Sequence, residues 1–435
     1  MKSLASKAFL LPIIALLLLS GCGIGNILKL RIDPQGTLTP NATRTAADIC
    51  PHVLSSTSTC LTPHAIRLAY GIDSLIQKGF TGKGQTVITM VSFGSPTLQR
   101  DMDVFDQAYN LPPIDLQIIS PINEPENNPL GKQDKDGWGD ETELDVQIIH
   151  AIAPEAKVIV LTSPVAETEG TFGLPEFRQL EQYIIDHKLG KIVSQSWGAS
   201  ELTLADSKGQ DEIQQWNRIL QEGTTQHGIT YFSASGDEGA TDYRDDQKHL
   251  GTEPTTSFAA DNPWITSVGG TTLTRSSLNS QETAWSGSGG GFSRFYQMPD
   301  YQKLLPDATQ QQLINRRGVP DVSAAADPFT GLGVYLHGQW TLAGGTSASA
   351  PVWAGLMAIA NQMAGHPLGF INPGLYKLAA SSTYQQDFHD VVSGNNTNRV
   401  AKVAGYPAVP GWDPVTGLGT PNAEKLIPDL IAAMK

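Results

Sequence analysis

The string Gly344-Gly345-Thr346-Ser347-Ala348-Ser349-Ala350-Pro351 runs into an apolar helical segment, Val352 to Ala364. Glycines let backbone approach a bound group closely. A serine at a helix N-terminus has a free backbone N–H and sits in positive dipole potential, and both favour an oxyanion forming beside it. The string fits a plain Ser/Thr helix cap equally well. Ser347 is the better nucleophile candidate than Ser349, because it directly follows the Gly-Gly-Thr turn. A serine hydroxyl is a weak nucleophile and needs a base. Nine histidines are present, yet none stands in a convincing setting. His227 and His337 each precede a glycine without opening a helix, and His150 falls inside an apolar helical run as a packed or partly exposed residue.

Two carboxylates are better placed. Asp140-Glu141-Thr142-Glu143-Leu144-Asp145 opens a helix that continues through Val146 to Ile152. Glu141 and Asp145 lie four apart, on one face and one turn from each other. On a bare surface such a like-charged pair costs roughly 0.2–0.5 kcal/mol. The alternative is ordinary: acidic residues in a first helical turn gain from the helix dipole. Glu143 lies on a different face and reads as a solvated charge. A third carboxylate, Asp237 in Ser235-Gly236-Asp237-Glu238-Gly239, follows the strand-like run ITYFS. That places it at a strand's carboxyl end, where an ordinary turn aspartate is also at home.

The elements needed to hold these groups are legible around them. Thr86 to Phe93, Lys157 to Thr162, Lys191 to Ser194 and Ile229 to Ser233 are short apolar runs without strict alternation, which suits buried parallel strands. Helical stretches fall between them, near 141–152, 176–187 and 210–223. The expected fold class is α/β, a doubly wound, mostly parallel sheet in one large catalytic domain, with function at the carboxyl ends of its strands. The chain has 435 residues, 40% hydrophobic and 17% charged. That is a globular composition, not a disordered one. Its 29 basic against 43 acidic side chains give a net charge of −14, which argues against nucleic acid as a partner. A glycine-rich loop runs from Gly287 to Gly291, and a Gly/Asp-rich segment follows residue 390.

The N-terminus reads as an address. Lys2 and Lys7 precede an apolar run from Phe9 to Leu19, too short to span a bilayer comfortably, and Leu19-Ser20-Gly21-Cys22 follows. Small residues before a cysteine resemble the bacterial lipobox, so residues 1–22 are expected as a signal peptide with Cys22 as the lipidated residue; an ordinary secretory signal is the alternative. Residues 23–61, rich in Thr, Asn, Pro and Ser, read as a tether. Within it Cys50 and Cys60 lie close together, in a compartment where disulfides persist, and no further ligand makes them a metal site. The catalytic domain is expected over 62–435. The protein is thus expected outside the cytoplasm, lipid-anchored in a bacterial cell envelope or secreted.

Together the strings resemble the sedolisins, the serine-carboxyl peptidases with a subtilisin-like fold. The likeness runs from about residue 62 to the C-terminus. It rests on Glu141-x-x-x-Asp145, Gln195-Ser196-Trp197-Gly198, Ser235-Gly236-Asp237-Glu238-Gly239, Gly269-Gly270-Thr271-Thr272, Pro320-Asp321-Val322-Ser323 and Gly345-Thr346-Ser347, in the family's order. The resemblance implies Ser347 as nucleophile, Glu141 as general base and then acid, Asp145 as its orienting partner and Asp237 in the oxyanion hole. It implies that Ser196, Trp197 and Gly198 pair with the substrate backbone by strand addition, with Trp197 bordering a subsite. Peptides or proteins are the implied substrates and a monomer is expected. A base with a near-normal pKa of about 4, and an oxyanion donor that works only when protonated, both imply an acidic optimum.

The tail adds a structural calcium site for one ion. Phe388-His389-Asp390-Val391 and Val409-Pro410-Gly411-Trp412-Asp413 resemble the family's calcium loop. The implied ligands are the side chains of Asp390 and Asp413 and the carbonyls of Val391, Val409 and Gly411, a hard oxygen set. Two features depart from the family. Only about forty residues separate Cys22 from the catalytic start, where family members carry a long prodomain. Ser92-Phe93-Gly94 lacks the extra glutamate that some relatives place there. Three rival readings remain at this level: a catalytically silent envelope lipoprotein that binds peptides or scaffolds partners, a neutral subtilisin-type hydrolase with an essential His, and a carboxylate-metal hydrolase at Glu141/Asp145.

Overall fold

The computed structural model describes residues 60–123, 132–276 and 279–435, without the side chains of 132–134 and 275–280. The signal segment with Cys22, most of the tether and Cys50 lie outside the described residues. Among those described, no helix is long and apolar enough to cross a membrane.

Seven parallel strands form the central sheet: β1 (Thr86–Ser92), β2 (Asp115–Ile119), β3 (Lys157–Ser163), β4 (Ile192–Gln195), β5 (Thr230–Ala234), β6 (Thr266–Ser276) and β8 (Val322–Ala325). Their order is β8-β6-β5-β4-β1-β3-β2, and β7 (Asn279–Ala284) adds antiparallel to β6. The chain starts at β1 in the middle, places β2 at one edge and fills the gap with β3, then crosses to β4 and winds outward on the other side, so the strand order reverses at β1 and opens a crevice at the strands' carboxyl ends. β1, β3, β4 and β5 are buried almost throughout, which is why their sequences read as apolar runs rather than as alternation. All four lie within one residue of the positions expected from the sequence.

The helices that matter here are α1 (Leu98–Tyr109), α2 (Lys132–Ile152), α3 (Leu174–His187), α4 (Ser207–His227) and α5 (Thr346–Ala364). A two-residue hairpin, β9 (Leu332–Leu336) and β10 (Gln339–Ala343), leads into α5. α5 is apolar on all sides and buried through its first sixteen residues, as a helix enclosed by its own protein must be. Its small residues let it approach α2: a Cβ at Gly355 would come within 2.8 Å of Ile152 Cβ. That close crossing brings the start of α5 to the middle of α2.

α2 begins nine residues before the start expected for it. Glu141 therefore lies about two and a half turns inside the helix. The dipole explanation for its acidic residues fails, because that field acts on the first turn alone.

Candidate active site

Ser347 occupies the first turn of α5 and is 2% exposed. Its position depends on two backbone features. The cap residue Gly345 has φ of 102°, where a side chain is strained, and a Cβ there would lie 2.5 Å from Asp237 Oδ2. Pro351 has no N–H to give the carbonyl four residues back, which is that of Ser347. The hydroxyl of Ser196, just past β4, lies 3.4 Å from that freed carbonyl.

Glu141 and Asp145 are both fully buried on the α2 face that meets α5. Both Asp145 oxygens are held: Thr89 Oγ1 of β1 donates to Oδ2 at 2.5 Å, and Ser196 Oγ to Oδ1 at 2.7 Å. Glu141 is held by none: both its oxygens are buried without a hydrogen-bond partner. Burial, followed by repulsion from Asp145 and then from Asp237, pushes its pKa well above the ordinary range, while the hydroxyls of Ser347 and Ser196 pull it down. Burial lifts Asp145 to about 7 against the pull of Thr89 and Ser196. One carboxyl of this pair is thus fixed in place and the other is free to exchange a proton.

Asp237 follows β5 at the sheet's carboxyl edge. Its Oδ1 accepts from Thr346 N–H at 2.7 Å and from Thr346 Oγ1 at 2.8 Å. Its Oδ2 is buried without a partner, on the side of Gly345. Burial raises this carboxyl to about 6, opposed by the Thr346 bonds. The glycine-rich loop backs the turn: Gly289 N–H donates to Gly236 O at 2.7 Å, and Ser235 Oγ donates to Gly289 O at 2.7 Å.

Ser347, Thr346, Asp237 and Ser196 to Gly198 line one cleft of about 460 Å³ counted to its open mouth. No histidine lines it or acts on Glu141 among the described residues. Trp197 is 2% exposed and packs edge-on against Phe177 at 4.9 Å. The structure thus brings together the four sequence-derived catalytic candidates and the Ser196-Trp197-Gly198 segment.

Two points differ from the sequence reading. The carboxylates do not keep a near-normal pKa of about 4, because the fold removes all three from water. Glu143 is not solvated; it is fully buried. His150 is the packed of the two forms expected for it: it is completely enclosed, with Nε2 2.9 Å from Pro112 O and 3.1 Å from Asp106. Sequence reasoning also missed Thr346 and Thr89, though a lone threonine in the middle of an apolar strand was a signal for the second. Glu169 and Asp242, both raised by burial, line the cleft as well.

In the tail, Asp413 is buried and Asp390 partly so. Gly411 N–H donates to both Asp390 oxygens, at 3.0 and 3.2 Å. Asp413 Oδ1 accepts from Val415 N–H and Thr416 N–H, each at 2.9 Å. Its Oδ2 accepts from Val409 N–H at 3.2 Å and Thr416 Oγ1 at 3.1 Å. Burial and then the charge and hydrogen bond of Asp390 raise the pKa of Tyr384, with a further push from the charge of Asp413, so both carboxylates act on one region of the tail. No Lys or Arg pairs with either among the described residues. Two carboxylates in one loop region without a counter-charge suit a divalent cation. Asp390 has lone pairs to spare, and Asp413 would release its longest bond, to Val409 N–H.

The subtilase family pattern matches residues 130–371. Kumamolisin of Bacillus sp. (strain MN-32) is 34% identical over 390 residues, 87% of this chain and 65% of that protein. Human tripeptidyl-peptidase 1 is 32% identical over 319 residues, 69% of this chain and 54% of that protein. This chain thus spans less than two thirds of either relative's length. Among solved structures, Pseudomonas sedolisin, a serine-carboxyl proteinase complexed with pseudo-iodotyrostatin, superposes with a TM-score of 0.72 at 28% identity, covering 86% of this chain and 98% of that one.

Proposed function

The chain belongs to the subtilase family, in its sedolisin branch, and from that premise we propose that it is a serine-carboxyl endopeptidase working in acid. The observation that carries this reading is the meeting of three groups at the start of α5: Ser347 on the helix N-terminus and Asp237 with one unpartnered oxygen line one cleft, and Glu141, buried with both oxygens unpartnered, feels both the Ser347 hydroxyl and the Asp237 charge. Ser347 Oγ attacks the scissile carbonyl carbon, and Glu141 takes the hydroxyl proton. Asp237, protonated, donates from Oδ2 to the oxyanion while Thr346 holds Oδ1 in place. Glu141 returns the proton to the leaving amine as the C–N bond breaks and an ester forms on Ser347. Water then repeats the sequence, giving up its proton to Glu141 as it attacks the ester. Asp145, pinned by Thr89 and Ser196, orients Glu141 and makes the two titrate as a coupled pair. The backbone of Ser196 to Gly198 pairs with the substrate chain by strand addition.

The proposal extends to the ends of the chain. Asp390 and Asp413, with the carbonyls of Val391, Val409 and Gly411, would hold one structural Ca²⁺, whose charge offsets the two carboxylates and ties the last loops together. The glycine-rich loop connects this region to the site: a Cβ at Gly290 would meet Pro414 O at 2.2 Å. The signal segment and Cys22 suit a monomeric, lipid-anchored enzyme of the bacterial envelope or a secreted one, with Cys50 and Cys60 as a local disulfide. Cleavage of a denatured protein from pH 2 to 9 tests the reading. The parent should peak in acid, and Ser347→Ala and Glu141→Ala should each abolish turnover. A neutral or alkaline peak, or turnover unchanged by Ser347→Ala, would contradict it.

A further inference from the structure

On the far side of α2 from Ser347 lies a second cluster that the peptidase chemistry does not use. Glu143 of α2 and Asp101 of α1 are both fully buried, and His337 sits at the tip of the β9–β10 hairpin with its side chain 37% exposed. One potential ligand atom from each lies within 4.8 Å of the others. Two carboxylates enclosed this closely repel each other. Arg100, reaching in from solvent, meets Asp101 Oδ1 at 3.0 Å and offsets one charge.

The cluster is built more elaborately than a chance meeting of acids. Ser95 and Thr97 hydroxyls donate to Glu143 Oε1 at 2.5 and 2.6 Å, orienting the carboxylate. Its Oε2 is buried and receives no hydrogen bond. His337 Nε2 lies 3.1 Å from Asp140 Oδ1, so a neutral ring places its N–H there. The lone pair then falls on Nδ1, which lies 3.3 Å from Thr97 Oγ1, the hydroxyl that also holds Glu143. A ring nitrogen donating to a carboxylate while the other keeps its lone pair, as Nδ1 does when the Thr97 proton goes to Glu143, is the arrangement that carboxylate–histidine–metal triads use. The hairpin serves this placement. His337 and Gly338 have φ of 49° and 83°, a tight two-residue turn, and Gly338 N–H donates to Asp101 Oδ2 at 3.3 Å. Gly139 leaves room for the ring: a Cβ there would lie 3.3 Å from His337 Cε1.

We propose that Asp101, Glu143 and His337 form a binding site for a divalent cation of the Zn²⁺ class, distinct from the calcium loop, with Asp140 orienting the histidine. One imidazole and two carboxylates suit Zn²⁺ or Co²⁺ and leave a coordination position for water. A bound cation would clamp α1 and the hairpin tip to α2 in the turn between Glu141 and Asp145.

The test uses the full chain, stripped with chelator and returned to saturating Ca²⁺. Zn²⁺ is then titrated calorimetrically at pH 7, and Co²⁺ is followed by its visible absorption. One ion should bind per chain. Glu143→Gln and His337→Asn should each abolish binding; Asn accepts the left-handed turn, so that variant keeps the hairpin. Asp140→Asn should weaken binding about 10- to 100-fold, and Asp390→Asn should leave it unchanged. Absence of saturable binding by the parent would show a carboxyl–carboxylate pair sharing a proton and overturn the site. Binding that survives either Glu143→Gln or His337→Asn would place the ion elsewhere and overturn it too. If Glu143→Gln does not fold, the His337→Asn titration decides alone.

Discussion

Asp237 offers the sharpest test of the mechanism, because its two oxygens do different things. Oδ1 accepts two bonds from Thr346, and Oδ2 has no partner. An asparagine fits the same place, its carbonyl accepting from Thr346 and its NH₂ standing where Oδ2 stood. That amide donates at every pH, whereas the carboxyl donates only when protonated. With the carboxyl raised to about 6, roughly one molecule in a hundred keeps the proton at pH 8. The parent should therefore lose about 100-fold in kcat between pH 5 and pH 8 on this group alone, equivalent to about 2.7 kcal/mol of transition-state stabilisation. Glu141 cannot cause that fall, since its base form only grows as pH rises. Asp237→Asn should flatten the alkaline limb, and Asp237→Ala should lose about 10²–10³ at pH 5, where the parent carboxyl is protonated, with the deficit shrinking as the parent itself falls toward pH 8. Rates on an internally quenched peptide from pH 3 to 9, with circular dichroism to verify the fold, provide the measurement. An Asp237→Asn profile that still turns down near pH 6, or an Asp237→Ala enzyme as fast as the parent, would refute the oxyanion role.

Three further outcomes follow from the same geometry. Gly345→Ala should cut kcat by at least about tenfold and lower stability by about 1–3 kcal/mol, since it strains a φ of 102° and presses on Asp237 Oδ2; a parent-like rate and melting temperature would contradict this. The fold should be most stable in acid. Burial raises Asp237 from 3.8 to about 6, Asp145 from 3.8 to about 7 and Glu181 from 4.5 to about 8. The folded state therefore binds protons more tightly than the unfolded chain, and that stability, complete below about pH 4, is lost as pH rises through 6 to 8. Melting by calorimetry should give a Tm that falls between pH 4 and 8, and a Tm that rises over that range would contradict the assignment. Removing Ca²⁺ with a chelator, or replacing Asp413 with Asn, should lower Tm and activity together. Full stability after both would leave the tail loop without a metal role.

Much of the site could be read along the chain. The strands β1, β3, β4 and β5 are continuous apolar runs because both their faces are covered, and such burial writes itself directly into composition. The four-residue spacing of Glu141 and Asp145 fixes their common face whatever the surroundings, since helix periodicity is local. The Gly-Gly-Thr-Ser turn likewise announces a backbone that must pass close to something, and the structure supplies that neighbour as Asp237. Other properties depend on neighbours distant in sequence. Glu143 looks like Glu141 in sequence, yet α1 and the β9–β10 hairpin bury it on the opposite side of the helix. Thr346 becomes the partner of Asp237, 109 positions away, only because the end of β5 and the start of α5 meet at the same edge of the sheet. The proton affinities follow the same rule: a carboxyl's titration is set by the water and charge around it, and these are assembled by packing α5 against α2 rather than by any stretch of sequence.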